Sequence, residues 1–309
     1  MKHRILLLLA LLTALLATGC GERTEKKITF SDSGIESDVI GVSIEGTTLT
    51  IRTAGTYTLT GSCSEGNIII DAPAGQPVIL ILNNLNLTCS TTSPIIAKDC
   101  PMVSLVIANR SQNIITDRHA YSELLSQDGE AKDAAAFEDV PNAAIYSRCP
   151  LQIRAEGEGN LVINAESYNG ISSSDTLTIT GGVINVTSKN NALRGKDYVV
   201  ISGGVLTLKA GNDGIKATNT EKASLGYIHI RGGILNIQAD DEAMYAPRSV
   251  SFDGGTVTIK SKNTGIKTEG TVEFDSGIIT VTSNDEPVLC GTQTKKDTAL
   301  VTLNGAELK

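Results

Sequence analysis

Paired glycines recur through the second half of the chain, and their spacing constrains the fold more than any other feature. They fall at Gly181-Gly182, Gly203-Gly204, Gly232-Gly233, Gly254-Gly255 and, degenerately, Ser276-Gly277, at steps of 22, 29, 22 and 22 residues. One step therefore carries a seven-residue insertion, visible around Glu221 to Gly226. A fixed period of this length, filled with strand-like segments, defines a solenoid. Four apolar columns run through the same stretch. They read Ile171, Leu193, Ile215, Met244, Ile266, Val288; then Leu177, Val199, Ile228, Val250, Val272. The others read Ile179, Ile201, Ile230, Phe252, Phe274 and Val186, Leu208, Ile237, Ile259, Val281, Leu303. Between them stand Thr, Ser, Asn and Lys in period two, so one face of each short strand points inward. Coils of about 22 residues built this way predict an all-β chain, a single-stranded parallel β-helix stabilised by stacking of coil on coil.

The coils extend upstream. Strands are expected over Thr47–Ile51, Tyr57–Thr60, Asn67–Asp71, Val78–Leu82, Leu85–Leu87 and Met102–Ala108, broken at glycines and prolines. Residues 111–142 are charged and alanine-rich and read as a side loop, with short helical turns expected at Ser122–Ser126 and Ala131–Phe137. The solenoid is expected to span 28–309, with little to cap its C-terminal end.

The first residues read as an address. Lys2, His3 and Arg4 precede the apolar run Ile5–Leu16, and Ala17-Thr18-Gly19-Cys20 follows. The run is too short to span a membrane stably and has the flanks of a secretory signal. Small residues leading into Cys20 fit a lipoprotein signal over 1–19, with Cys20 lipidated and 20–27 a polar tether. A plain cleaved signal, with Cys20 incidental, is the other reading. Lipidation implies export and a lipid anchor on the bacterial cell envelope, at the cell surface or outer membrane. Among the later cysteines, Cys100 and Cys149 lie in related stretches and are expected on adjacent coils, within disulfide reach. Buried free thiols fit them equally well.

The polar turns before the first column carry the chemistry. They read Tyr168-Asn169-Gly170, Asn190-Asn191-Ala192, Asn212-Asp213-Gly214, Asp240-Asp241-Glu242-Ala243, Asn263-Thr264-Gly265 and Asn284-Asp285-Glu286. Stacking puts them in one ladder, where like charges about 5 Å apart repel by roughly 1 kcal/mol in water and more when shielded. Asp213, Asp240, Asp241 and Glu242, with Asn212, form the densest group and suit calcium, a cation that takes roughly six to eight oxygens in irregular geometry. Turn chemistry without a ligand accounts for the same residues, because Asn and Asp favour such turns and stack well in them. Beside this ladder lies a basic column of Arg194, Lys216 and Lys267, interrupted by Tyr245, with Lys196 nearby. These cations serve either to neutralise the carboxylates, to hold an acidic sugar, or to act as the base of a lyase. No residue stands out from its column as catalytic. A net charge of -8 and the lack of a basic stripe with interleaved aromatics exclude nucleic acid as the expected partner. His119 and His229 fit no metal spacing.

Several segments resemble a known family: Ala54-Gly55-Thr56-Tyr57-Thr58-Leu59-Thr60-Gly61, Asn142-Ala143-Ala144-Ile145-Tyr146-Ser147, Gly157-Glu158-Gly159-Asn160-Leu161, Leu177-Thr178-Ile179-Thr180-Gly181-Gly182 and Asn212-Asp213-Gly214-Ile215-Lys216. They are similar to bacterial secreted carbohydrate-binding β-helix proteins related in shape to pectate lyases. The resemblance implies a right-handed helix, calcium sites, and binding of plant cell-wall polysaccharides such as polygalacturonate or cellulose. Asp213, Asp240 and Asp241 match acidic positions of the family, whereas Asn190-Asn191-Ala192 and Asn263-Thr264-Gly265 depart from it. The expected function is a calcium-dependent carbohydrate-binding surface lipoprotein. A calcium-dependent polysaccharide lyase and a structural or adhesive surface protein are the alternatives.

Overall fold

A computed structural model describes residues 27–73, 75–121 and 140–309, and every element among them is a β-strand. The signal, Cys20 and the two helical turns expected in the side loop lie outside the described residues. Each coil contributes a short strand to an eleven-stranded sheet and two further strand segments, merged into one in some coils such as Ser249–Ser261, to a nineteen-stranded sheet. In one representative coil these are Leu193–Gly195, then Tyr198–Ile201 and Val205–Ala210. They are called here the short, middle and third strands. Ten short strands, from Thr48–Ile51 to Val288–Leu289, stack in parallel, so the chain is a parallel β-helix of about ten turns.

The register reproduces all four apolar columns. Ile171 pairs with Leu193, Leu193 with Ile215, Ile215 with Met244, and Met244 with Ile266. Leu177 and Ile179 lie opposite Val199 and Ile201, and Val186 opposite Leu208. All of these side chains are buried and belong to one continuous core. Phe252 and Phe274 stack within it at 5.2 Å between centroids. Apolar burial on this scale, at about 25 cal/mol per Å², is the main stabilising term.

The paired glycines make the bend between middle and third strands. The second of each pair has positive φ, from +90° at Gly255 to +107° at Gly277. A Cβ on Gly233 would also lie 2.8 Å from the carbonyl oxygen of Gly204 in the coil below. The bend therefore needs glycine for both conformation and rung-to-rung approach.

Two details differ from the sequence expectation. The side loop begins later than 111, because Gln112–Asp117 is a third strand, paired with Val78–Cys89 and Asn160–Ala165. Its pattern was obscured by Asn113, a buried polar residue in an inward position. Asn113 Oδ1 accepts from Leu85 N at 3.0 Å, and its Nδ2 donates to Ser111 Oγ and the Asn160 carbonyl, so its burial is offset. After Asp117 the chain leaves the coil, with Asp117 accepting from His119 N and Tyr121 Oη. Next, both ends of the described solenoid finish in antiparallel pairs, Val42–Glu45 with Thr48–Ile51 and Ala299–Leu303 with Ala306–Glu307. Such hairpins blunt an open parallel edge. The seven-residue insertion opens at a corner of the coil. It leaves the coil after the short strand Ile215–Ala217, whereas Asn212-Asp213 precede that strand. Asn219 Oδ1 caps Glu221 N and Lys222 N there, and Arg248 bonds the Thr220 carbonyl.

Cys100 and Cys149 do stack on adjacent coils, with Cys100 Sγ donating to Cys149 Sγ at 2.9 Å in a buried position.

Two glycines separate conformational strain from crowding. Gly305 has φ +83° with open space around its Cβ position, while Gly233 has φ +98° and meets backbone. Gly305→Ala is expected to cost roughly 1 kcal/mol and Gly233→Ala roughly 3 kcal/mol in urea unfolding.

Candidate functional site

The turn before each short strand carries a buried polar ladder. Asn169 Nδ2 donates to Asn142 Oδ1 at 3.3 Å, and Asn191 Nδ2 to Asn169 Oδ1 at 3.0 Å. The side-chain oxygens of Asn169 and Asn191 also accept a backbone N–H from the next coil, from Asn191 N and Asp213 N, both at 3.2 Å. In these coils the side chains of Asn169 and Asn191 satisfy one another and the backbone, as turn chemistry without a ligand requires.

At Asp213 the ladder changes character. Its Oδ1 keeps the structural role and accepts from Glu242 N at 3.3 Å. Where an asparagine would present Nδ2–H to the rung below, Asp213 has a second acceptor. Asn212 Nδ2 supplies that donor instead, at 3.1 Å from Asn191 Oδ1. Asp213 is fully buried. Lys216 Nζ stands 2.6 Å from its Oδ2, which compensates charge, but no donor is aligned on that oxygen as a hydrogen bond. Burial pushes the Asp213 carboxyl up to about 6, against the pull of the Lys216 ammonium.

Asp213, Asp241 and Glu242 each bring one carboxylate oxygen to within 4.8 Å of the others. Calcium–oxygen bonds of about 2.3–2.6 Å allow ligand atoms of one ion to lie up to about 5 Å apart, so the three fit a single cation. Burial would raise Glu242, but hydrogen bonds led by Lys267, at 2.5 Å, hold its carboxyl below the usual range. Asp241 accepts from Asn263 Nδ2 at 2.5 Å.

The remaining expected residues take other places. Asp240 stands outside this trio, half exposed, and pairs with Lys262 at 2.8 Å. Asn212 serves the amide ladder. Arg194, Lys216, Tyr245 and Lys267 do form one column along the short strands. Within it Lys216 and Lys267 flank the Tyr245 ring, at 5.3 and 6.0 Å from its centroid. Arg194 is buried and donates to Ser172 and Thr218 hydroxyls, which places it in the wall rather than on the surface. Lys196 lies at the corner after the short strand, where its carbonyl holds Thr218 N and Asn219 N. Asp197 accepts from Asn219 Nδ2, while Asp253 and Asp275 pair with His229 and Lys296. The contributions of Asn263 and Lys262 were not read from sequence. The coil spacing itself signals both, since each falls 22 residues after its partner.

These features define a class: a parallel β-helix whose stacked turns carry an acidic centre flanked by lysines and a tyrosine. The chain belongs to the carbohydrate-binding domain-containing protein family, whose model matches residues 45–309. A carbohydrate-binding domain-containing protein of Acetivibrio thermocellus is 34% identical over 196 residues, covering 59% of this chain. The match spans 64% of that relative's length. The solved structure of a polysaccharide lyase-like protein from C. thermocellum, a gadolinium derivative, is similar at 31% identity with a TM-score of 0.71. That alignment covers 91% of this chain and all of the other.

The ladder break has a measurable linkage. Asp213 has a folded pKa of about 6, above the ordinary 3.8, so its contribution to stability is intact below pH 3.8 and is lost as pH rises through about 6. Asparagine at this position would complete the ladder and never ionise. In chelator, Asp213→Asn is expected to gain up to ~3 kcal/mol relative to wild type between pH 4 and pH 7. The check is paired urea titrations; Asp117, also pushed up to about 6 by burial, is common to both proteins and cancels.

Proposed function

We propose that this protein is an exported, lipid-anchored carbohydrate-binding protein that holds acidic or plant cell-wall polysaccharide through a calcium centre at Asp213, Asp241 and Glu242. The observation that carries the reading is the convergence of three carboxylates, buried Asp213 and Glu242 with half-buried Asp241, each offering an oxygen within 4.8 Å of the others. Bound calcium would supply a charge that bridges the trio to sugar oxygens. Lys216 and Lys267 pair with Asp213 and Glu242. A divalent cation competes with those ammonium groups for the same oxygens and leaves them available to a sugar carboxylate. Tyr245, between the two lysines, offers an apolar surface to a sugar ring. An N-terminal lipid at Cys20 would keep the solenoid at the envelope.

Binding without cleavage is preferred to a lyase reaction because no residue of the basic column is set apart from its neighbours as a base. A lyase base must lose its proton near neutrality. While paired with the Glu242 carboxylate, the Lys267 ammonium is held above its ordinary range. Arg194 is buried among hydroxyls, and arginine does not deprotonate in proteins.

Calcium, followed by calorimetry or terbium luminescence, is expected to bind the wild type, with Asp213→Ala and Asp241→Ala each weakening it by roughly tenfold or more. Polygalacturonate should retard the wild type in affinity electrophoresis with calcium and not with chelator. Retardation indifferent to chelator would remove calcium from the reading. Release of unsaturated product, seen as ultraviolet absorbance, would favour the lyase. Lys216→Gln with Lys267→Gln should tighten calcium by removing its competitors, and weaken polygalacturonate.

A further inference from the structure

The third strands present an outward face that the acidic centre does not use. At the end of these strands, next to the acidic turn, lies an open groove of about 570 Å³. Four lysines line it, Lys189, Lys209, Lys260 and Lys262, against the single carboxylate of Asp240. On a chain of net charge -8 this is a local reversal of sign. It arises from register rather than from a basic run in sequence. Lys209 stacks on Gln238 and Gln238 on Lys260, so two ammonium groups and an amide follow one another rung by rung. Only Lys262 is paired to a carboxylate at short range among the four, through Asp240 at 2.8 Å.

The neighbouring columns of the same face suit an extended glycan. Thr207, Asn236 and Thr258 form a polar column two residues before the lysine column. Val205 and Ile234 form a partly exposed apolar one a further two residues back. Cations at one edge, hydroxyl and amide groups in the middle and aliphatic carbons at the other edge match an anionic sugar chain lying across the rungs. Rungs are spaced about 4.8 Å apart, so Lys209 and Lys260, two rungs apart, lie about 9.6 Å from one another, near the length of two sugars in an extended chain, whose alternate anionic groups face the same side.

We infer that this groove is a binding track for an anionic polysaccharide, with Lys209 and Lys260 as its principal contacts and Lys189 and Lys262 at its rim. The inference rests on the carbohydrate-binding reading above and adds a second contact region on a different face of the coil. Asp240 lines the groove and adjoins Asp241 and Glu242 in the chain, so the track runs beside the acidic turn.

The test uses Lys209→Gln with Lys260→Gln, both exposed and outside the core. Affinity electrophoresis with polygalacturonate should show binding weaker by on the order of tenfold, from the loss of two favourable charge contacts. Calcium affinity, read by calorimetry, should match the wild type. A sulfated glycan run in parallel distinguishes recognition of carboxylate from recognition of any anionic sugar; weakening with either supports the track. Unchanged polygalacturonate binding in this variant, alongside loss in Lys216→Gln with Lys267→Gln, would overturn the track and leave the carbohydrate-binding reading standing. Equal retention of wild type by double-stranded DNA would overturn it as a glycan site. Failure of wild type to bind any polysaccharide would remove both readings together.

Discussion

Every feature of this chain depends on one constraint: the backbone hydrogen bonds of a parallel ladder hold each coil about 4.8 Å above the last. That spacing multiplies the consequence of each residue by the number of coils. An inward isoleucine becomes an apolar column, and a glycine with positive φ becomes a groove of close-packed backbone bends. An asparagine in a turn becomes a chain of amides, each satisfying the next. The spacing also sets a penalty, because an ionised residue in a column meets its neighbours at a distance where screening is weak. The coil that holds Asp213 is where that penalty is accepted.

Asparagine and aspartate have nearly the same shape, and the ladder shows what differs. Asn169 and Asn191 each accept through Oδ1 and donate through Nδ2, so a run of them closes upon itself. Asp213 preserves the first function through Oδ1 and inverts the second through Oδ2. The inversion recruits Asn212 as substitute donor and Lys216 as counter-charge. It also brings Glu242 and Asp241 of the next coil to the same point. A fold needing only a turn would not gain from this arrangement. Its cost is understandable if a proton or a cation completes the set.

Most of the fold was legible because it is periodic. The glycine pairs and four columns give register directly, and the register in turn places Lys216, Tyr245 and Lys267 on one line. What sequence reading missed lies where a local role replaces a periodic one. Asn113 sits in an inward position but is polar, its burial offset by three hydrogen bonds, so Gln112–Asp117 reads as loop. Arg194 shares a column with Lys216, yet is enclosed among hydroxyls from the coils on either side. Asp240 reads as one of a run of acids; the turn geometry directs it toward Lys262 and leaves Asp241 and Glu242 to meet Asp213. A column states which residues are neighbours, but not which way the turn presents them.

The same reasoning explains how a chain of net charge -8 can present a basic surface. Lys209 and Lys260 are far apart in sequence, with mixed charges between them. Two rungs of stacking bring them into one column with Gln238 between, so the sign of a face is set by register and not by composition. A solenoid can therefore carry opposite charges on adjoining faces of one coil without either perturbing the core. Carboxylates gather at the turn before the short strand, and lysines at the end of the third strand that leads into it. Under the proposed function, an acidic glycan would use both, a cation held by the first and direct contact with the second, and the coil places them side by side.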